Sequence, residues 1–237
     1  MSYQNIFKRY EIKYLITQKQ KKDIIEAMEP YMQLDEYGRT TIRNVYLDTD
    51  NYRLIRNSLE KPMYKEKIRV RSYRQVGDED IVFVELKKKY DSVVYKRRVE
   101  ETEEKAKEWL CDKKSMRLDT QIEREISYFI EYYGNLSPKV FLSYEREAFF
   151  SLDGSDFRVT FDDNILWRQD NISLKEKVGG NSIIGNDEIL MELKTSKGIP
   201  LWMTDILSKN KLYKTSFSKY GRAYMDILNR KNMKIAI

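Results

Sequence analysis

The chain of 237 residues contains no histidine and one cysteine. These two counts decide much of the chemistry open to it. Without histidine there is no Ser-His-Asp or Cys-His nucleophile system, no imidazole acid–base catalyst and no His-carboxylate metal site. A single cysteine excludes a disulfide framework and a thiolate zinc site. Cys111 lies in a polar helical stretch and reads as a structural thiol, since no histidine exists to activate it. The remaining reactive groups are 44 Lys and Arg, 38 Asp and Glu, 18 Tyr, the Ser and Thr hydroxyls, and metals held through oxygen.

The spacing of these groups follows a period of two, which sends alternate side chains of a strand to opposite faces. Over Tyr64–Arg74 one face carries Lys65, Lys67, Arg69 and Arg71, and the other Ile68 and Val70. Arg9, Glu11 and Lys13 oppose Tyr10, Ile12 and Tyr14; Glu85, Lys87 and Lys89 oppose Val84 and Leu86. Lys96 with Arg98, Tyr144 with Arg146, Arg158 with Thr160 and Asp162, and Glu192 with Lys194 repeat the pattern. For any single strand, a charged face is the ordinary wet side of an antiparallel sheet. Repeated along nearly every strand, it predicts a lumen lined by cations if the sheet closes. Such a lumen would not be stable empty. A linear phosphate polyanion suits it, because guanidinium and ammonium groups both bind phosphate oxygens. The interspersed carboxylates would then hold Mg²⁺ or Mn²⁺, which take oxygen donors.

The elements that must position these faces are mostly strands. Phe7–Ile16 alternates, and Thr17 with Gln20 offers a capping box for a helix that stops near Pro30. Arg39–Asp48, Tyr64–Arg74 and Ile81–Lys89 read as further strands, and Ser92–Glu100 pairs back through Tyr90–Asp91. Thr102–Leu110 is a short helix. Asp119–Tyr133 is a stronger one, with Ile122, Ile126, Phe129, Ile130 and Tyr133 on one face and Gly134 as its stop. Strands return at Lys139–Ser151, Phe157–Asp163 and Glu188–Thr195, and helices at Trp202–Leu212 and Ser216–Arg230 finish the chain. Lys175–Asp187, with Gly179, Gly180 and Gly185, reads as a mobile loop. The architecture expected is α+β: a closed antiparallel β-barrel of about eight strands, with helices outside and at the tunnel ends. No linker or repeat interrupts the chain, so residues 1–237 are expected to form one domain.

At these residues the chain resembles the triphosphate tunnel metalloenzymes (the CYTH-like superfamily). Within them it is most similar to the VTC (vacuolar transporter chaperone) polyphosphate polymerase domain. Arg9-Tyr10-Glu11-Ile12-Lys13 resembles the ExExK signature of the superfamily, with Arg9 at the first Glu as in the VTC branch. Val45-Tyr46-Leu47-Asp48-Thr49, Arg69-Val70-Arg71, Val84-Glu85-Leu86-Lys87, Tyr95-Lys96-Arg97 and Ser143-Tyr144-Glu145-Arg146 follow in order. Arg158 with Asp162, Leu190-Met191-Glu192-Leu193-Lys194 and Phe217-Ser218-Lys219-Tyr220 complete a match over essentially the whole chain. The resemblance implies a tunnel that binds ATP by its triphosphate and passes the γ-phosphate to a growing polyphosphate chain, with Mn²⁺ or Mg²⁺. It implies that Arg69, Arg71, Lys87, Arg146 and Lys219 act on the reacting phosphates, with Lys13, Lys96 and Arg158 as further phosphate ligands. Tyr144 and Ser218 would donate hydrogen bonds to phosphate oxygens. Glu192 would be the principal metal ligand, supported by Glu11, Glu85 and Asp162.

The chemistry agrees with the resemblance, because phosphoryl transfer asks the protein for positioning and charge neutralisation rather than covalent work. Lys219 near the start of the last helix sits where backbone N–H groups favour phosphate. A tripolyphosphate or nucleoside-triphosphate hydrolase in the same tunnel is a second reading, disfavoured by Arg9 in place of a carboxylate. A non-catalytic polyphosphate-binding domain is a third. A nucleic-acid module, suggested by pI ≈ 9.0, is a fourth; it is disfavoured because the basic residues alternate with core residues along strands. The partners expected are therefore ATP and inorganic polyphosphate, and not nucleic acid. The charged start MSYQNIFKRYEIKY lacks a secretory apolar run and no window reaches the ~18–20 apolar residues of a membrane span, which predicts a soluble cytoplasmic protein. No part of the sequence resembles the SPX regulatory domain. Membrane-associated partner proteins are left open by the sequence.

Overall fold

A computed structural model describes residues 7–91, 93–112, 114 and 118–235; the side chains of residues 7–9, 231 and 233–235 are left aside. The chain order is β1 (Phe7–Thr17), α1 (Gln18–Met28), β2 (Met32–Asp48), α2 (Arg53–Leu59), β3 (Tyr64–Ser72), β4 (Ile81–Tyr90) and β5 (Val93–Thr102). There follow α3 (Glu103–Leu110), α4 (Gln121–Tyr133), β6 (Ser137–Ser151), β7 (Arg158–Arg168), β8 (Asn181–Ser182), β9 (Glu188–Thr195), α5 (Leu201–Lys209) and α6 (Lys219–Ile235). The nine strands form one antiparallel sheet in the order β6-β2-β3-β4-β5-β1-β9-β7-β8, and β6 pairs with β7 as well as with β2.

The helix ends obey local chemistry. Thr17 and Gln20 form the expected capping box, with Gln20 N–H donating to Thr17 Oγ1 at 3.2 Å and Thr17 N–H to Gln20 Oε1 at 2.9 Å. Thr120 and Glu123 form a second box on α4, and Gly134 ends that helix at φ 74°. Helix α6 starts at Lys219 rather than Ser216, because the Ser218 hydroxyl accepts the Gly221 N–H at 3.1 Å and so caps it.

Three apolar clusters hold helices to the sheet. Val45, Ile68, Val70, Val84 and Leu86, from the uncharged face of β2–β4, pack under α3 and α4 through Trp109, Ile126 and Phe129. Tyr14, Ile16, Val159, Phe161, Met191 and Leu193 pack under α1 and α5 through Ile24, Met28, Met203 and Ile206. The third cluster differs in kind: Ile42, Tyr46, Leu142 and Tyr144 pack against Tyr220, Ala223, Tyr224 and Ile227 of α6. Those β2 and β6 residues share parity with Asn44 and Arg146, so α6 covers part of the charged face itself. No helix among the described residues is long and apolar enough to cross a membrane.

The structure departs from the expected elements in further places, of which three bear on the site. Strand β2 begins at Met32, seven residues before Arg39, through a register irregularity between Leu34 and Arg39 that contains Gly38 at φ 56°. Helix α2 has no local side-chain cap; the Asp48 carboxylate reaches forward to accept the Leu54 and Ile55 N–H groups at 2.9 and 3.0 Å. The glycine-rich loop is tied down rather than free. Asn181–Ser182 pairs with Trp167 and Leu166, and the Arg168 guanidinium donates to the carbonyls of Lys177 and Gly179. Gly180 is required there: at φ 128° a Cβ would lie 2.2 Å from the Trp167 carbonyl oxygen.

Candidate functional site

The charged faces meet in two knots of ion pairs. The first centres on Glu85, which register places opposite Arg69 on β3 and opposite Arg98 on β5. Its side chain is fully buried. Oε2 accepts from Arg69 Nε at 2.9 Å and Oε1 from Arg98 Nε at 2.9 Å, with Lys96 Nζ at 2.6 Å and Arg71 Nε at 3.7 Å. Burial alone would raise this carboxyl, but Arg71, Arg69, Lys96 and Arg98 together hold it well below the usual range. Arg71 is fixed further by Asn44 Oδ1 at 3.0 Å and the Tyr144 hydroxyl at 3.1 Å, and Arg69 by the Tyr46 hydroxyl at 2.9 Å.

The second knot joins β1, β6, β7, β9 and α6. Asp162 is opposite Arg146 and takes it bidentately at 2.5 and 2.6 Å, with Lys219 Nζ at 2.5 Å. Glu192 is opposite Lys13, at 3.1 Å, and also receives Lys194 at 3.0 Å, Lys219 at 3.4 Å and Arg146 at 3.6 Å. Burial works against both carboxylates, yet these cations keep Asp162 lowered and Glu192 well below its ordinary value. The Lys219 ammonium, raised by Asp162 and Glu192 against its burial, lies 4.5 Å from the Tyr144 ring centre. Glu11, beside Lys13 and Lys194 of the second knot, reaches across the sheet to Lys87 of β4 at 2.7 Å. Lys87, Lys13 and Lys194 pull its carboxyl down to about 2 against burial and the nearby Glu192.

Of the residues expected from sequence, Lys13, Glu11, Arg69, Arg71, Glu85, Lys87, Lys96, Tyr144, Arg146, Asp162, Glu192 and Lys219 all belong to this connected network. Ser218 touches it as an acceptor, receiving Lys67 Nζ at 3.0 Å while capping α6. Tyr144 likewise accepts from Arg71, which leaves its own proton free to donate. Arg158 stands apart: it is exposed at the first residue of β7, opposite Lys194, with no ion pair among the described residues. The side chain of Arg9 lies outside the described residues.

Lys67, Arg98 and Lys194 also belong to the network. Alternation places all three on the charged faces, and none is among the site residues that the resemblance implies. Burial and its like-charged neighbours push Lys67 down to about 7; burial and Arg146 bring Lys194 to about 8. Asn44 and Tyr46 carry no charge and gave no such signal. The ten basic side chains of the network outnumber its four carboxylates by six, so among the described residues the face has an excess of basic groups over acidic partners.

Among the described residues no three acidic or sulfur ligands are grouped as a ready-made metal cage. That suits a phosphate-handling ion, since Mg²⁺ commonly takes one or two carboxylates and completes its shell with phosphate oxygens and water. Glu192 and Glu11 are the fitting pair: hard oxygen donors, diagonal across the β1–β9 ladder, with Glu192 close enough to oppose the lowering of Glu11. Both oxygens of Glu192 face cations too, but at 3.0–3.6 Å; Glu85 fits less well, because Arg69, Lys96 and Arg98 hold its oxygens at 2.6–2.7 Å.

The fold is shared with solved proteins of low sequence identity. A candidate adenylate cyclase of Bacillus halodurans superposes with a TM-score of 0.57 at 14% identity, covering 91% of this chain and 96% of its own. A candidate adenylyl cyclase of Hippeastrum, described as having a dominant triphosphatase activity, gives 0.53 at 15% identity, covering 90% and 93%. No curated protein matches the chain by sequence. The profile of the VTC domain, however, matches residues 8–227, and the chain therefore belongs to the VTC domain family.

Proposed function

We propose that the protein is a metal-dependent polyphosphate polymerase that takes the γ-phosphate of ATP and transfers it to the end of a polyphosphate chain. The observation that carries this reading is the excess of ten basic side chains over four carboxylates, arranged in rungs across adjacent strands, a pattern that a linear polyanion would neutralise along its length. The pairing of β6 with both β2 and β7 supports a sheet wrapped into a closed tunnel of eight strands, β8 lying outside the ring. Membership of the VTC domain family supports the phosphate chemistry.

In this reading Arg69, Arg71, Lys96 and Arg98 hold one run of phosphates and Lys13, Arg146, Lys194 and Lys219 the next. The reacting phosphoryl group lies between them, within reach of Lys87. Glu85 and Asp162 act as internal counter-ions that keep the cations fixed in the absence of substrate. Substrate oxygens then replace carboxylate oxygens with little rearrangement, so the charge developing during transfer meets donors already in place. A Mn²⁺ or Mg²⁺ ion held by Glu192 and Glu11 would neutralise part of the triphosphate charge. Tyr144, anchored by Arg71, donates its free proton to a phosphate oxygen. The ATP used would be that of the cytoplasm.

The test is purified protein with ATP and Mn²⁺ or Mg²⁺, with chain products resolved on a polyphosphate-staining gel and free phosphate assayed in parallel. Chains with stoichiometric ADP are expected, lost in Arg69→Ala and in Glu192→Gln. Free phosphate without chains would replace this reading with a hydrolase. Tight tripolyphosphate binding with neither product would leave a binding domain only.

A further inference from the structure

Cross-strand pairing in β3 and β4 sets like charges directly opposite one another: Lys67 faces Lys87 and Lys65 faces Lys89. Directly opposed like charges destabilise a sheet, and elsewhere on this face each rung is relieved by a carboxylate. The Lys65–Lys89 rung has no such relief. Among the described residues no carboxylate lies within ion-pairing distance of Lys65, Lys67 or Lys89. Instead Lys65 Nζ donates to the Ser58 carbonyl of α2 at 3.2 Å, and Lys67 Nζ to Ser218 at 3.0 Å. Burial lowers Lys65, and Lys89, Lys61 and Lys87 add to that lowering. Rungs two residues apart are separated by about 7 Å of strand, so these two extend the cationic face by about 14 Å beyond Arg69 and Glu85.

We propose that Lys65 and Lys89, continuing from Lys67, form an anion track that carries a phosphate chain longer than a triphosphate out past α2 and the start of α6. The track rests on the polyphosphate reading above and adds chain length as a property the site recognises. A triphosphate is spanned by the two knots and does not reach Lys65 or Lys89. A long chain does, and its phosphates supply the negative charge that the opposed lysines lack.

The experiment compares tripolyphosphate with size-fractionated long-chain polyphosphate by titration calorimetry, without metal. It uses the wild type, Lys89→Gln, Lys65→Gln/Lys89→Gln, and the control Lys19→Gln/Lys22→Gln on exposed α1. The double track variant should lose about tenfold in affinity for the long chain and change tripolyphosphate affinity by less than about twofold, the single variant falling between. The control should match the wild type for both ligands. Unchanged affinities, or equal losses for short and long chains, overturn the track while leaving the polyphosphate reading intact. Single-stranded DNA competing as well as long polyphosphate also overturns it, in favour of a general polyanion groove. A wild type that binds neither phosphate ligand overturns both readings together.

Discussion

Replacing Glu85 by Gln tests whether the carboxylates of the network are stand-ins for substrate. The side chain is fully buried with Arg69, Arg98 and Lys96 within 3 Å and Arg71 at 3.7 Å, and Gln keeps its shape while removing its charge. Breaking a buried ion pair from one side costs about 3–5 kcal/mol, because the partner charges stay behind uncompensated. For a chain of this size about 2–4 °C of midpoint corresponds to 1 kcal/mol, so unfolding should move down by about 6–20 °C in low salt. Tripolyphosphate should reverse the loss. At 1,000 times its Kd a ligand adds about 4 kcal/mol to any folded state, and the variant, with cations vacated by Glu85, should bind more tightly and gain more than the wild type. The assay is thermal unfolding followed by circular dichroism across a tripolyphosphate titration. A variant that melts within about 2 °C of the wild type without ligand would refute the counter-ion argument. So would a deficit that stays constant as ligand is added.

Two further substitutions probe the surroundings. Lys67 is pushed down to about 7 in the fold against 10.5 in a free side chain, so between those values the unfolded chain binds more protons and stability from this group rises with pH. Lys67→Met should therefore melt higher than the wild type at pH 6 and lose that advantage by about pH 10; an advantage independent of pH would show that burial of the ammonium is not its source. Gly180→Ala places a Cβ against the Trp167 carbonyl at 2.2 Å and should cost about 2–4 kcal/mol, read as a lower unfolding midpoint with a changed Trp fluorescence spectrum.

The charged faces were legible because alternation is a local property: Lys65 to Arg71 needs only its own strand to declare two sides. Register and depth are not local. Arg158 has the parity of Asp162, yet at the first position of β7 it is exposed while Asp162 is fully buried. Parity names a face and says nothing about how far along it the protein extends. Glu85 shows the same limit in chemistry. As a lone carboxylate among basic residues it read as a metal ligand, and only the three-strand rung reveals that four cations already surround it. Helix α2 is not legible in the sequence because its cap, Asp48, lies at the end of a strand and reaches six and seven residues ahead; its Oδ2, which accepts the Ile55 N–H, also accepts the Tyr220 hydroxyl of α6 at 3.0 Å. Strand β7 was cut short at Asp163 because Asn164, at φ 45°, breaks the alternation before the strand resumes to Arg168.

The strand order carries a consequence for how the chain reaches its fold. Strand β1 is made first, but its neighbour along Tyr10–Thr17 is β9, at Glu188–Thr195, near the other end of the chain. Pairings this distant in sequence form slowly, since the intervening loop must close before any contact rewards it. During that wait β1 presents an unpaired edge to every other nascent chain. Its alternate residues Glu11 and Lys13 are of the kind that natural sheets use to discourage edge-to-edge association. The same is true of Glu192 and Lys194 on the partner strand. The alternation that lines the mature face would thus also act as a solubility device, keeping both edges apart from strangers until Lys13 meets Glu192.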